Sequence, residues 1–173
     1  MTMKAIAALL ALCVGLSGCG YHALYGDRAN GVSADELARI YVAGIPDRPG
    51  QQLRNFLVTN LNPSGQPSQP IYALNVSLGV VSTGVSLARD NTTSRTSITT
   101  TATYTLVDSA SGKAVFSAVS RATDAYDVLL SDYATLVSRD DAVNRALREV
   151  SDDIRTRLAV YFQDRKARGR TAT

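Results

Sequence analysis

Tryptophan is absent from this chain, histidine occurs once, and cysteine occurs twice. Each scarcity removes a class of chemistry. Cys13 lies inside an apolar amino-terminal run, so one cysteine, Cys19, is left beyond it. A lone cysteine makes no intrachain disulfide, and it cannot build a cysteine zinc site. A Ser–His–Asp triad has to use His22, three positions past Cys19, and such a tether is a poor place to preorganise a base. No phosphate loop and no dinucleotide fingerprint is present. The carboxylate pairs Asp140-Asp141 and Asp152-Asp153 are sequence neighbours. On a helix such neighbours point in different directions and do not converge on a substrate. They read as helix solvation and capping. An enzyme is therefore not expected, and neither is a cofactor or a metal. The formal net charge is only +3, and the one dense basic run is "RKARGR" at 165–170. Nucleic-acid binding is a poor reading.

Long apolar runs are also lacking. The longest, Ala5 to Leu16, follows a positive Lys4, and it is shorter than the roughly 20 residues a spanning helix needs. A positive start, a short apolar core and small residues before a cut site describe a secretory signal. The cut site reads Leu16-Ser17-Gly18-Cys19, which is similar to the bacterial lipobox. That resemblance implies a lipidated Cys19, with residues 1–18 removed. Gly20 stands where an aspartate often retains such proteins at the inner membrane in enteric bacteria, so the outer membrane is favoured. Tyr21 and Tyr25 either sit at headgroup level or pack at the domain edge.

The mature chain, about 155 residues, is long enough for one domain with a real core. Residues 19–37 read as a lipidated tether, 38–166 as a single domain, and 167–173 as a basic tail. "ARIYVAGI" at 38–45 reads as a short strand. Asp47 as cap and Pro49 in the first turn open a helix, whose stripe is Leu53, Phe56, Leu57 and Leu61. Asn62-Pro63 stops it, and the run to Pro70 is a loop. "IYALNVSLGVV", "SITTTATYTLVD" and "KAVFSAVSRAT" alternate with period two and read as strands. In the second, Ile98, Ala102, Tyr104 and Leu106 stand against Thr99, Thr101, Thr103 and Thr105. "DSASGK" at 108–113 reads as a hairpin turn, and 82–95 as a longer polar connection. Ser138 with Asp141 resembles a capping box. It opens a long helix whose stripe is Val143, Leu147, Val150, Ile154, Leu158 and Tyr161. The order β-α-β-β-β-α predicts an α+β fold: a small sheet of about four strands with two helices on one face. The other, Thr- and Ser-rich face is left without a cover of its own.

"CGYHALYG" at 19–26, "IYVAGIPDRPGQQLRNFL" at 40–57, "RDNTTSR" at 89–95, "YTLVDSASGK" at 104–113 and "DDAVNRALREVSDDIRTRLAVYF" at 140–162 together resemble the LPS-assembly lipoprotein family (LptE), in its alphaproteobacterial form. The resemblance rests on order and spacing across nearly the whole mature chain. It implies a non-catalytic role at the periplasmic face of the outer membrane: a plug and assembly partner of the large LPS-assembly β-barrel (LptD), delivering lipopolysaccharide to the outer leaflet. Under that reading Thr99, Thr101, Thr103 and Thr105 face the barrel, because a lumen is polar. Arg89, Arg95 and Lys113, near strand ends, pair with acidic groups of lipopolysaccharide. Plain readings stand beside these: an ordinary solvent-facing strand and isolated surface charges. An envelope lipoprotein that binds a small ligand or acts as a scaffold is the alternative function.

Overall fold

The architecture was read from a computed structural model, which describes residues 35–87 and 93–171. After a helical turn at 35–37 come β1 (Ile40–Val42), α1 (Arg48–Leu61), β2 (Tyr72–Leu87), β3 (Thr93–Asp108), β4 (Ala114–Asp127) and α2 (Asp132–Thr171). The sheet order is β1-β2-β3-β4. β1 pairs with β2 in parallel, and the other pairings are antiparallel. A parallel pair needs a crossover, and α1 supplies it. The α+β class, the element order and both helices on one side agree with the reading of the sequence.

α1 opens with Pro49 in its first turn and Asp47 at the cap position. Asp47 has φ 65°, a conformation uncommon for a residue with a side chain. Its carboxylate makes no capping bond. Its carbonyl instead accepts the Gln51 amide at 2.9 Å. The expectation of an aspartate side-chain cap is thus corrected. Gly50 allows the close approach here: a Cβ on it would meet Ile45 Cγ2 at 2.7 Å. Leu53, Leu57 and Leu61 are buried, at helical spacing.

Ile40, Val42, Leu74, Ile98, Tyr104 and Leu106 turn one sheet face inward, and Leu147, Ile154 and Leu158 of α2 meet it. Phe162 is buried beside this stripe, where Tyr161 was expected; Tyr161 is half-buried. Between the helices, the Asn60 side chain donates to Ser151 Oγ at 3.0 Å and Asp152 Oδ1 at 2.8 Å.

Two boundaries differ from expectation. Ser138 lies inside α2, which starts at Asp132. Ser131 caps it: its carbonyl accepts the Thr135 amide at 3.0 Å, and its Oγ accepts that of Ala134 at 3.4 Å. The first turns carry exposed Leu136 and Val137, so the buried stripe begins later than the helix does. The polar connection expected at 82–95 is largely strand. β2 continues to Leu87 and β3 begins at Thr93, with a register irregularity between Gly84 and Ser86. Thr83, Val85 and Thr93 are of residue types enriched in strands. The Asp108–Lys113 turn is as expected. Asp108 Oδ1 accepts from the Ser111 amide at 2.7 Å, the Ser111 hydroxyl at 2.8 Å and the Ala110 amide at 3.1 Å. Those bonds hold its carboxyl below the usual carboxylate range, the Ser111 amide most of all.

Candidate functional site: an uncovered sheet face between two unlike ends

The sheet's outer face is built in rows fixed by strand register. Val81, Thr99 and Thr123 form one row; Gly79, Thr101 and Arg121 the next; then Ser77, Thr103 and Val119; then Asn75, Thr105 and Ser117. Period-two alternation puts all of them on the side away from the helices. Thr99, Thr101, Thr103 and Thr105 thus share one surface, as their spacing predicted. Arg121 is the one charged residue in these four rows. Hydroxyls partner each other across strands: Ser117 Oγ donates to Thr105 Oγ1 at 3.1 Å, and Thr99 and Thr123 Oγ1 lie 3.4 Å apart. Val81 and Val119 stand out from the face, 62% and 50% exposed. The surface is shallow, β-branched, hydroxyl-rich and almost free of charge.

The two ends of the sheet differ. At the far end, Arg95 stands opposite Asp127 in register. Nearby, Arg145 Nε donates to Asp124 Oδ2 at 2.7 Å. That bond, before the Ala125 amide and the charges of Arg145 and Arg95, holds the Asp124 carboxyl below its usual range. Val128, Leu129, Leu130, Tyr133, Leu136 and Val137 are all exposed there. The sequence reading missed this group, although "VLLSDYATLV" carries helical spacing of apolar residues from Leu129 on.

At the near end lie the Asp108–Lys113 turn, the start of β2 and the last turns of α2. Tyr72 packs on Phe162, with ring centroids 5.3 Å apart. Its hydroxyl accepts a bond from Arg165, whose guanidinium also lies over the Tyr72 ring. A groove of about 310 Å³ is lined by Glu36, Phe162, Arg165 and Lys166.

Arg95 and Lys113 therefore do not share a site. They occupy opposite ends of β3, roughly 40 Å apart along the strand. Arg89, Cys19, Tyr21, Tyr25 and His22 lie outside the described residues. Tyr104 is the strongly shifted group of the interior. Burial pushes its phenol up to about 12, against the smaller pull of Arg157. It stays neutral and serves as core. Among the described residues, no group of three His, Cys, Asp or Glu is placed to hold a metal. No described helix is long and apolar enough to cross a membrane.

Comparison with known proteins agrees with this fold. An uncharacterized protein of Rickettsia prowazekii (strain Madrid E) is 26% identical over 154 residues, covering 89% of this chain and 95% of that one. A Caulobacter crescentus protein described as a lipoprotein has a crystal structure with TM-score 0.64 and 22% identity, over 76% of this chain and 96% of its own. Rare lipoprotein B of Shewanella oneidensis gives TM-score 0.57 at 11% identity, over 73% and 96%. At such identities the two structures speak for the fold alone. The model of the LptE lipopolysaccharide-assembly family matches residues 37–158, from the turn before β1 into the last buried turns of α2. By that match over most of its length, the chain belongs to the LptE family of lipopolysaccharide-assembly proteins.

Proposed function

We propose that this chain is a lipoprotein anchored through Cys19 at the periplasmic face of the outer membrane. Its uncovered sheet face packs inside the LPS-assembly β-barrel, LptD. It acts there as a plug that assists barrel assembly and the insertion of lipopolysaccharide into the outer leaflet. One observation carries this reading: a sheet of long strands, covered by helices on one face only, whose open face is hydroxyl-rich with a single charge in its four central rows. A surface meant for bulk water usually carries more charge. A surface meant for an apolar partner would carry more exposed aliphatics. A barrel lumen is polar and hydrogen-bonding, and threonine hydroxyls both donate and accept.

Lipopolysaccharide contact belongs, in this reading, to the far end, where Arg95 stands, together with Arg89, six positions before it in sequence. Guanidinium groups pair well with phosphates. Lys113 is not part of that contact, since it sits at the other end. No step of this function is catalytic.

A photo-crosslinker at Thr101 or Thr103 tests the face. It should capture a large outer-membrane barrel protein, while one at Glu149, exposed on the helix side, should not. Arg89→Gln with Arg95→Gln should weaken lipopolysaccharide binding and leave the melting temperature unchanged. If the face captures nothing and lipopolysaccharide binding survives the double change, the domain is an envelope scaffold or small-ligand binder instead.

A further inference from the structure

We propose that the basic carboxyl-terminal end of α2 docks on anionic phospholipid headgroups, in the same leaflet that holds the lipid anchor. The inference rests on the anchor reading of Cys19 and extends it.

The topology brings the two ends of the described chain together. Glu36, in the first described turn, lines the same groove as Arg165 and Lys166 of the last turns of α2. Any path from Cys19 to Asp35 spans at most roughly 55 Å. A lipid on Cys19 holds the domain from this end, where the described chain begins, and the far end lies roughly 40 Å further along β3. Charge gives the end its preference. Arg165, Lys166, Arg168 and Arg170 stand against one acid in the same segment, Asp164, a surplus equal to the formal net charge of +3 of the whole chain. Lys113 adds to it from the adjoining turn. Two neighbouring acids offset part of it: Asp108, which its own turn keeps ionised, and Glu36, which faces Arg165, so that with Lys113 counted five cations stand against three acids at this end. The ion pairs of Arg48, Arg145 and Arg157 are made with Asp140, Asp124 and Asp153, away from this segment.

The end is also held in shape. Arg165 is fixed on Tyr72 and Phe162 packs beneath it, so the helix is held against the sheet as far as Arg165. A basic patch is a common second signal beside a lipid anchor. Each Lys or Arg near an anionic surface raises the docked fraction by about fivefold, within a Debye length of the surface. The docking would set which end of the plug faces the periplasmic leaflet.

The test uses the mature lipidated protein with Thr171→Cys, labelled with an environment-sensitive fluorophore and bound to vesicles. Intact mass first reports the lipid on Cys19. On vesicles rich in phosphatidylglycerol the emission should shift to the blue, and the shift should vanish in high salt or on pure phosphatidylcholine. Lys166→Gln/Arg168→Gln/Arg170→Gln should lower the docked-to-free ratio by roughly a hundredfold, with an unchanged thermal melt, because Arg165 and the core are untouched. Equal emission on both lipids, with the lipid mass present, overturns the docking and leaves the anchor standing. A response to lipopolysaccharide but not to phosphatidylglycerol also overturns it, in favour of a lipopolysaccharide phosphate site. A mature chain with a free Cys19 thiol overturns the anchor reading, and the tethered docking with it.

Discussion

Strand β3 shows two faces of opposite character. Toward the helices it presents Ile98, Thr100, Ala102, Tyr104 and Leu106, all buried. Away from them it presents Thr99, Thr101, Thr103 and Thr105, none of them buried. The backbone is the same and the hydrogen-bond ladder is shared, so the difference lies in what the side chains meet. The inner file removes apolar area from water, and this holds the domain together. The outer file adds little to folding, because its hydroxyls exchange water for each other at nearly even free energy. This face contributes little to stability yet keeps a uniform character over four rows, and it is the face the proposed barrel contact would use.

The largest effects should come from the inner side. Leu147 and Ile154 are completely buried. Truncating either to alanine leaves a cavity and should cost about 2–5 kcal/mol. Chemical denaturation of the domain checks it. Near-wild-type stability for both would mean that α2, rather than the sheet contact, sustains itself.

Thr100 sharpens the contrast, since it is a threonine on the wrong face. Its side chain is fully buried, and its hydroxyl finds no hydrogen-bond partner. Thr100→Val keeps the shape and removes an unsatisfied group, so it should stabilise by about 1 kcal/mol. A loss of stability would mean that the hydroxyl is satisfied in solution.

The distinction between the faces was largely legible in the sequence, because period-two alternation maps directly onto a sheet with one covered side. Leu147, Ile154 and Leu158 were placed inward by spacing alone, and so were Leu53 and Leu57. What escaped were features without a periodic signature. The start of α2 carries Leu136 and Val137 exposed, so apolar spacing there does not mean burial and Ser131 was overlooked. The extension of β2 and β3 mixes serine, threonine and glycine with few apolar residues, so no clear alternation announces it. Arg95 and Lys113 are 18 positions apart in sequence and sit at opposite ends of the fold. A strand carries its residues straight away from one another, and no local pattern records which end meets which neighbour. The approach of Arg165 to Tyr72 depends on the whole length of α2 and is equally invisible.

Smaller effects belong to the far end. The bond from Arg145 lowers the Asp124 carboxyl below its ordinary 3.8. A carboxyl depressed in the folded state stabilises the fold above its unfolded value, and that contribution is lost as pH falls through the depressed folded value. Asp124→Asn should therefore lower the denaturation midpoint slightly at neutral pH and make no difference in strong acid. The effect is modest because the pair is open to solvent on the Arg145 side. A difference that persists in strong acid would assign the effect to the side chain's shape rather than its charge.

The smallest effect on folding should coincide with the largest on association. Thr101 is half-buried and Thr103 exposed, both on the outer file. Thr103 stands opposite Val119, and Thr101 stands opposite Gly79 and Arg121. Lysine at Thr103 has open space for its long side chain, so Thr103→Lys should change stability by no more than about 0.5 kcal/mol, the range of ordinary surface substitutions. The row of Ser77, Thr103 and Val119 would then carry a charge where it has none. Against solvent that charge costs nothing. Against a closely packed wall it must be desolvated without a partner, and one unpaired buried charge is enough to abolish a close contact. Co-purification with the barrel from solubilised outer membrane should accordingly be lost for Thr103→Lys and retained for Thr103→Ser, while both proteins melt like the parent. If Thr103→Lys keeps the barrel, the outer face is solvent-facing, and the partner must be sought at the ends of the sheet.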